Sequence, residues 1–87
     1  MHRNILNTMD ALSFLTECKL KGLKISTIDG FHVVGDKFME DIDLMFTSDP
    51  NDSVAKSVDD AYRFVKCNDA LGIVWEVWPD DVAGHRS

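Results

Sequence analysis

What the chain is short of narrows its function first. No apolar run approaches the roughly 20 residues that a membrane-spanning helix requires, so no such helix is expected. Arg3 stands near the start with no apolar stretch behind it, which predicts a cytoplasmic protein without an export signal. The only cysteines, Cys18 and Cys67, lie far apart and form no CxxC pair. That spacing points away from a disulfide framework or a thiolate metal site, and both residues fall in segments of helical pattern, where they are read as buried thiols. The histidines His2, His32 and His85 do not cluster with them. The sequence has no glycine-rich phosphate loop, HExxH motif or zinc-ligand spacing. Bases are the other shortage: nine Lys and Arg stand against fifteen Asp and Glu, giving a net charge of −6. Direct nucleic-acid binding needs a positive footprint, so this deficit argues against it. An acidic chain is suited instead to a basic partner.

What is present fits one small domain. The 87 residues are 45% apolar and 28% charged, ordinary values for a globular chain. A domain of this size buries a little over 60% of its unfolded surface, enough for one modest core. The negative charge is confined. Asp29, Asp36, Glu40, Asp41, Asp43, Asp49 and Asp52 all fall between residues 29 and 52, with Lys37 the only base among them. The rest of the chain holds eight acids and eight bases. Such a concentration is either a solvated surface that keeps sheet edges apart or a binding face.

Helix and strand signals alternate along the chain. After a lead-in over residues 1–7, cap residues at Asn7 and Thr8 precede Ala11, Leu12, Leu15 and Cys18 at helical spacing, and Gly22 supplies a left-handed stop. Leu23 to Ile28 reads as a strand. Asp29-Gly30 then predicts a tight hairpin turn before a second strand, Phe31 to Val34. Gly35-Asp36-Lys37 is a further turn, and a third strand covers about Phe38 to Thr47. Alternation there puts Ile42, Leu44 and Phe46 on one face, and Asp41 and Asp43 on the other, about 7 Å apart. If the apolar set faces the core, the two carboxylates project from the side away from the helices. A loop containing Pro50 leads to a second helix, capped by Asp52 or Ser53, with Val54, Val58, Ala61, Val65 and Phe64 on its apolar side. Gly72 to Trp78 is a fourth strand, with Trp75 and Trp78 on opposite faces, and Pro79 stops it. The expected architecture is α+β: a two-layer sandwich in the order α-β-β-β-α-β, with two helices on one face of a four-stranded antiparallel sheet. The chain is read as a single domain over 1–87, with its core at about 8–78 and a flexible tail over 79–87.

No catalytic set assembles from these pieces. Cys18 and Cys67 fall on or near helical core faces, away from His32, and Asp41 and Asp43 on an open sheet face lack the cleft that tunes an acid. The Asp49-Pro50-Asn51-Asp52 loop lacks the ligand register of an EF-hand, so neither metal nor cofactor is expected. Trp78, exposed near acidic residues, is a candidate interface anchor.

Lys21-Gly22-Leu23, then Ile28-Asp29-Gly30-Phe31-His32, then Phe38 and Asp41, resemble the corresponding run in the immunity proteins of tRNA-cleaving colicins. The likeness spans roughly residues 8 to 77, and only the run from Gly22 to Asp41 is distinctive. It implies an acidic inhibitor, not an enzyme, whose carboxylates take the place of RNA phosphates in the basic cleft of a toxin nuclease domain. Immunity proteins of contact-dependent growth-inhibition systems play the same role. The positions that match are Asp29, His32, Phe38 and Asp41, while Asp49 to Asp52 align only loosely. The expected partner-binding set is therefore Asp29, His32, Phe38, Glu40, Asp41, Asp43, Asp49, Asp52 and Trp78. The expected partner is a cognate toxin nuclease domain, with no direct nucleic acid and no membrane, and the chain is expected as a monomer or weak homodimer. A nucleic-acid mimic aimed at a host or phage protein, or a non-inhibitory dimerising module, are the alternatives.

Overall fold

Local sequence sets both helices. Asn7 caps α1 (Thr8–Lys21), its side-chain oxygen accepting the Asp10 N–H at 2.8 Å. Asp10 in the first turn and Lys19 and Lys21 in the last complement the helix dipole. Gly22, at φ 74°, closes the helix in the left-handed conformation that costs glycine least. Ser53 caps α2 (Val54–Cys67) by accepting the Lys56 N–H at 3.0 Å.

The structure, a computed structural model, describes residues 5–80. The strands β1 (Ile5–Leu6), β2 (Lys24–Val34), β3 (Lys37–Thr47) and β4 (Ile73–Asp80) form one antiparallel sheet in the order β1-β4-β2-β3. Two helices packed against a four-stranded antiparallel sheet make the α+β fold that the sequence predicts. Ala11, Leu15 and Cys18 of α1 and Val58, Ala61 and Val65 of α2 meet Ile25, Ile28, Leu44, Trp75 and Val77 of the sheet in one core. Trp75 is fully buried, and its indole N–H donates to Thr8 Oγ1 at 2.9 Å, so the largest core residue leaves no polar atom unmatched. Among the described residues, no helix is long and apolar enough to cross a membrane.

The four strands are not the four that the sequence delimits. Asp29-Gly30 makes no turn. It lies inside β2, which runs unbroken from Lys24 to Val34. Glycine is needed there for close approach: a Cβ on Gly30 would sit 2.6 Å from Leu44 Cβ and 2.9 Å from Trp75 Cζ3. The hairpin turn is at Gly35-Asp36, where only Gly35 has positive φ, 64°. Positive φ at the first central residue alone is the type II′ pattern. The fourth strand comes instead from Ile5–Leu6, within the expected lead-in, pairing with Glu76 and Trp75 of β4. Two residues are too few for an alternation pattern to register.

Two further expectations are corrected. Pro79 does not stop β4, because it pairs with Ile25 of β2 and lies beyond the reach of β1, where its missing N–H breaks no bond on the other side. Cys67, at the last position of α2, is exposed rather than buried, while Cys18 is buried. The remainder of the predicted tail, residues 81–87, lies outside the described residues, as do His2 and His85.

Two irregularities in β2 pairing shape the sheet. The β2–β4 register shifts by one residue between Ile25 and Thr27. The backbone groups there find side-chain partners: buried Ser57 of α2 accepts the Ile25 N–H at 3.1 Å, and Ser48 donates to the Ile25 carbonyl at 2.6 Å. The second irregularity is larger. Phe31 pairs with Glu40, whereas Asp29 pairs with Met45, so β3 bulges outward between them, over Asp41 to Leu44, opposite Gly30.

Candidate partner-binding surface

The bulge decides where the acidic residues go. On the helix side of the sheet, Ile28 and Gly30 of β2 face the core, and His32 follows in the same alternation. Asp29 and Phe31 take the opposite face, where Asp29 is half-buried and Phe31 is buried. His32 pairs with Met39, which makes Asp41 its diagonal neighbour on the same side. The two meet: His32 Nε2 is 2.7 Å from Asp41 Oδ2. Asp41 Oδ1 also accepts the Asp43 N–H at 2.9 Å, which fastens the bulge. The imidazole beside it, and secondly this backbone N–H, hold the Asp41 carboxyl below the usual carboxylate range.

The predicted pairing of Asp41 and Asp43 on the open face is therefore overturned. Asp41 turns to His32, on the helix-side register of the protruding hairpin. Ile42, expected in the core, is 80% exposed, and Leu44 and Phe46 alone of that trio turn inward. The bulge resets the alternation between Glu40 and Leu44, so a uniform strand pattern assigns Asp41 and Ile42 to the wrong sides.

The other predicted residues fall into separate places. Asp29 is not at a turn. It sits half-buried mid-strand, across from Met45 on one side and Glu76 on the other. Its Oδ2 accepts the Trp78 indole N–H at 3.3 Å, and its Oδ1 is buried without a hydrogen bond among the described residues. Trp78 is on the open face as expected, 44% exposed, with Trp75 opposite in the core. Phe38 and Glu40 lie on the distal half of β3, Phe38 stacking edge-on against Phe31 with ring centroids 6.4 Å apart. Asp49 and Asp52 lie beyond the other end of β3, an eleven-residue strand spanning roughly 30 Å. Their carboxylates cap their own loop: Asp49 Oδ1 accepts the Asn51 N–H at 2.8 Å and Asp52 Oδ2 the Asp49 N–H at 3.3 Å. They do not join the hairpin group.

What the fold brings together is thus smaller than the predicted set. Asp36, Glu40, Asp41 and Asp43 surround a hairpin that also exposes Val33, Val34, Phe38, Met39 and Ile42. Of the apolar part, sequence reading named Phe38 and missed Val33, Val34, Met39 and Ile42. Its signal was available in the two-residue turn at Gly35-Asp36, which pairs His32 with Met39 and Val33 with Phe38 at a projecting end. Among the described residues, no group of three or more His, Cys, Asp or Glu side chains is arranged to hold a metal ion. The chain matches no family model, and no curated protein proves similar to it.

Proposed function

We propose that this chain is a cytoplasmic immunity protein, a binding protein and not an enzyme, that neutralises a nuclease toxin by occupying its basic RNA-binding cleft. The observation that carries the reading is the hairpin of β2 and β3, where exposed Phe38, Met39 and Ile42 are rimmed by Asp36, Glu40, Asp41 and Asp43. An RNA-binding cleft presents cations for phosphates and flat apolar surfaces for bases, and a surface combining carboxylates with an aromatic ring answers both. Confinement of the net charge to residues 29–52 supports steering toward such a cleft. So does the likeness of Gly22 to Asp41 to the immunity proteins of tRNA-cleaving colicins. Asp49 and Asp52, tied into their own loop, have no part in this contact.

The test is co-expression with a basic tRNase domain encoded beside this gene, reading growth and tRNA integrity. The wild type protects. Glu40→Lys combined with Asp43→Lys abolishes protection, and Asp49→Asn combined with Asp52→Asn leaves it intact. Full protection by the double-lysine variant would overturn the proposed contact.

A further inference from the structure

β3 is an edge strand: β2 lies on one side of it and no described strand on the other. Such edges are ordinarily blunted by charged side chains, prolines, bulges or short length, because their free N–H and C=O groups template further pairing. This one has no proline; its bulge and its acidic residues from Asp41 on guard the far part, and the regular stretch from Lys37 to Glu40 is left with one lysine and one glutamate. Its exposed side chains include Phe38 at 51% and Met39 at 55%.

The backbone groups that face outward follow from the ladder. The Val33 N–H donates to the Gly72 carbonyl at 2.8 Å, away from β3. Val33 and its partner Phe38 are therefore a pair without bonds between β2 and β3. Antiparallel pairs alternate, so Met39 and Lys37 turn their main-chain groups inward, to His32 and Val34. The N–H and C=O of Phe38 and Glu40 point out of the sheet. Beyond Glu40 the bulge ends the regular edge.

We propose that the Lys37–Glu40 edge of β3 docks an extended segment of the protein partner, which adds as a further strand in which pairs of apolar side chains alternate with pairs of arginine or lysine, since each face of β3 here carries one apolar and one acidic residue, Phe38 with Glu40 and Met39 with Asp41. This rests on the reading of the chain as a binder of a basic protein, and it names the mode of contact. Backbone pairing at Phe38 and Glu40 sets the register. Glu40, Asp41, Asp43 and Asp36 meet the partner's cations, and Phe38 and Met39 meet its apolar residues. A second copy of this chain is disfavoured as occupant, because pairing two β3 edges would set these four carboxylates against the same four.

The experiment follows amide shifts of the isotopically labelled full chain on adding a capped peptide in which pairs of valines alternate with pairs of arginines, with the same peptide carrying glutamate in place of arginine as control. The arginine peptide is expected to shift and protect the Phe38 and Glu40 amides, and the glutamate peptide to leave them unmoved. Glu40→Pro removes an outward N–H, which an edge strand tolerates, while Glu40→Gln removes only the charge. The proline variant should bind about three- to tenfold more weakly than the glutamine variant, each first verified as folded by its amide spectrum. Equal binding by the two, shifts confined to other regions, or concentration-dependent shifts of these amides without peptide would each overturn the proposal. Growth protection in the tRNase co-expression separates the two readings. Protection that persists in Glu40→Pro, with no peptide docking at β3, removes the edge contact and leaves the inhibitor reading. Docking at β3 without protection from the tRNase does the reverse.

Discussion

The His32 ring reaches across the hairpin to Asp41, Nε2 to Oδ2 at 2.7 Å, from nine residues earlier in the chain. The contact joins the projecting part of β2 to the start of the β3 bulge. Asp41 has a depressed folded-state pKa, with the His32 hydrogen bond as the main cause. A carboxyl of this kind adds stability that is complete above the unfolded-state value of about 3.9. The contribution is lost as pH falls through the lower folded-state value. In a carbon-detected titration, Asp41 should ionise below the usual carboxylate range. His32→Ala should raise its midpoint and His32→Gln, keeping an N–H donor, should restore part of the shift. An Asp41 midpoint unchanged by His32→Ala would show that the contact has no hold on the carboxylate.

Gly30→Ala should destabilise the fold although it adds a single methyl to a strand. The methyl would enter at 2.6 Å from Leu44 Cβ and 3.0 Å from the Leu44 carbonyl oxygen, atoms close to or in the backbone that cannot swing aside. Overpacking of this kind costs about 1–3 kcal/mol. Denaturant unfolding should show a lower midpoint with an unchanged slope. A wild-type midpoint would mean that β3 shifts freely at its bulge.

The two thiols should differ sharply in reactivity. Cys67 is exposed at the end of α2, while Cys18 is buried, and burial, then the Glu17 carboxylate, push its thiol pKa upward. One equivalent of an aromatic disulfide reagent should react rapidly in the native state and the second only with denaturant. Cys67→Ser should abolish the fast phase.

The helices were legible because their ends are written in single residues: Asn7, Gly22 and Ser53 each do locally what a cap requires. Trp75 and Trp78 were correctly assigned to opposite faces by alternation. The sheet was harder for a physical reason. Asp-Gly satisfies a tight turn, but glycine is also the residue for a place where another backbone and a tryptophan ring press close, and a linear reading cannot see Leu44 and Trp75 converging on Gly30. The bulge hid the rest. Inserting residues over Asp41 to Leu44 changed which way Ile42 and Asp41 face, so a uniform alternation misplaced both. β1 left no trace, since its position depends on β4 rather than on its own two residues.

The placement of the two tryptophans gives the protein a pair of optical reporters, one in each environment. Trp75 is sealed in the core and Trp78 is open to water with its indole N–H on Asp29. Emission from the first follows the integrity of the packed interior, and emission from the second follows events on the exposed side of the sheet. Substituting either ring by phenylalanine isolates the other signal. Unfolding and surface occupancy can then be followed separately in the same molecule without an added dye.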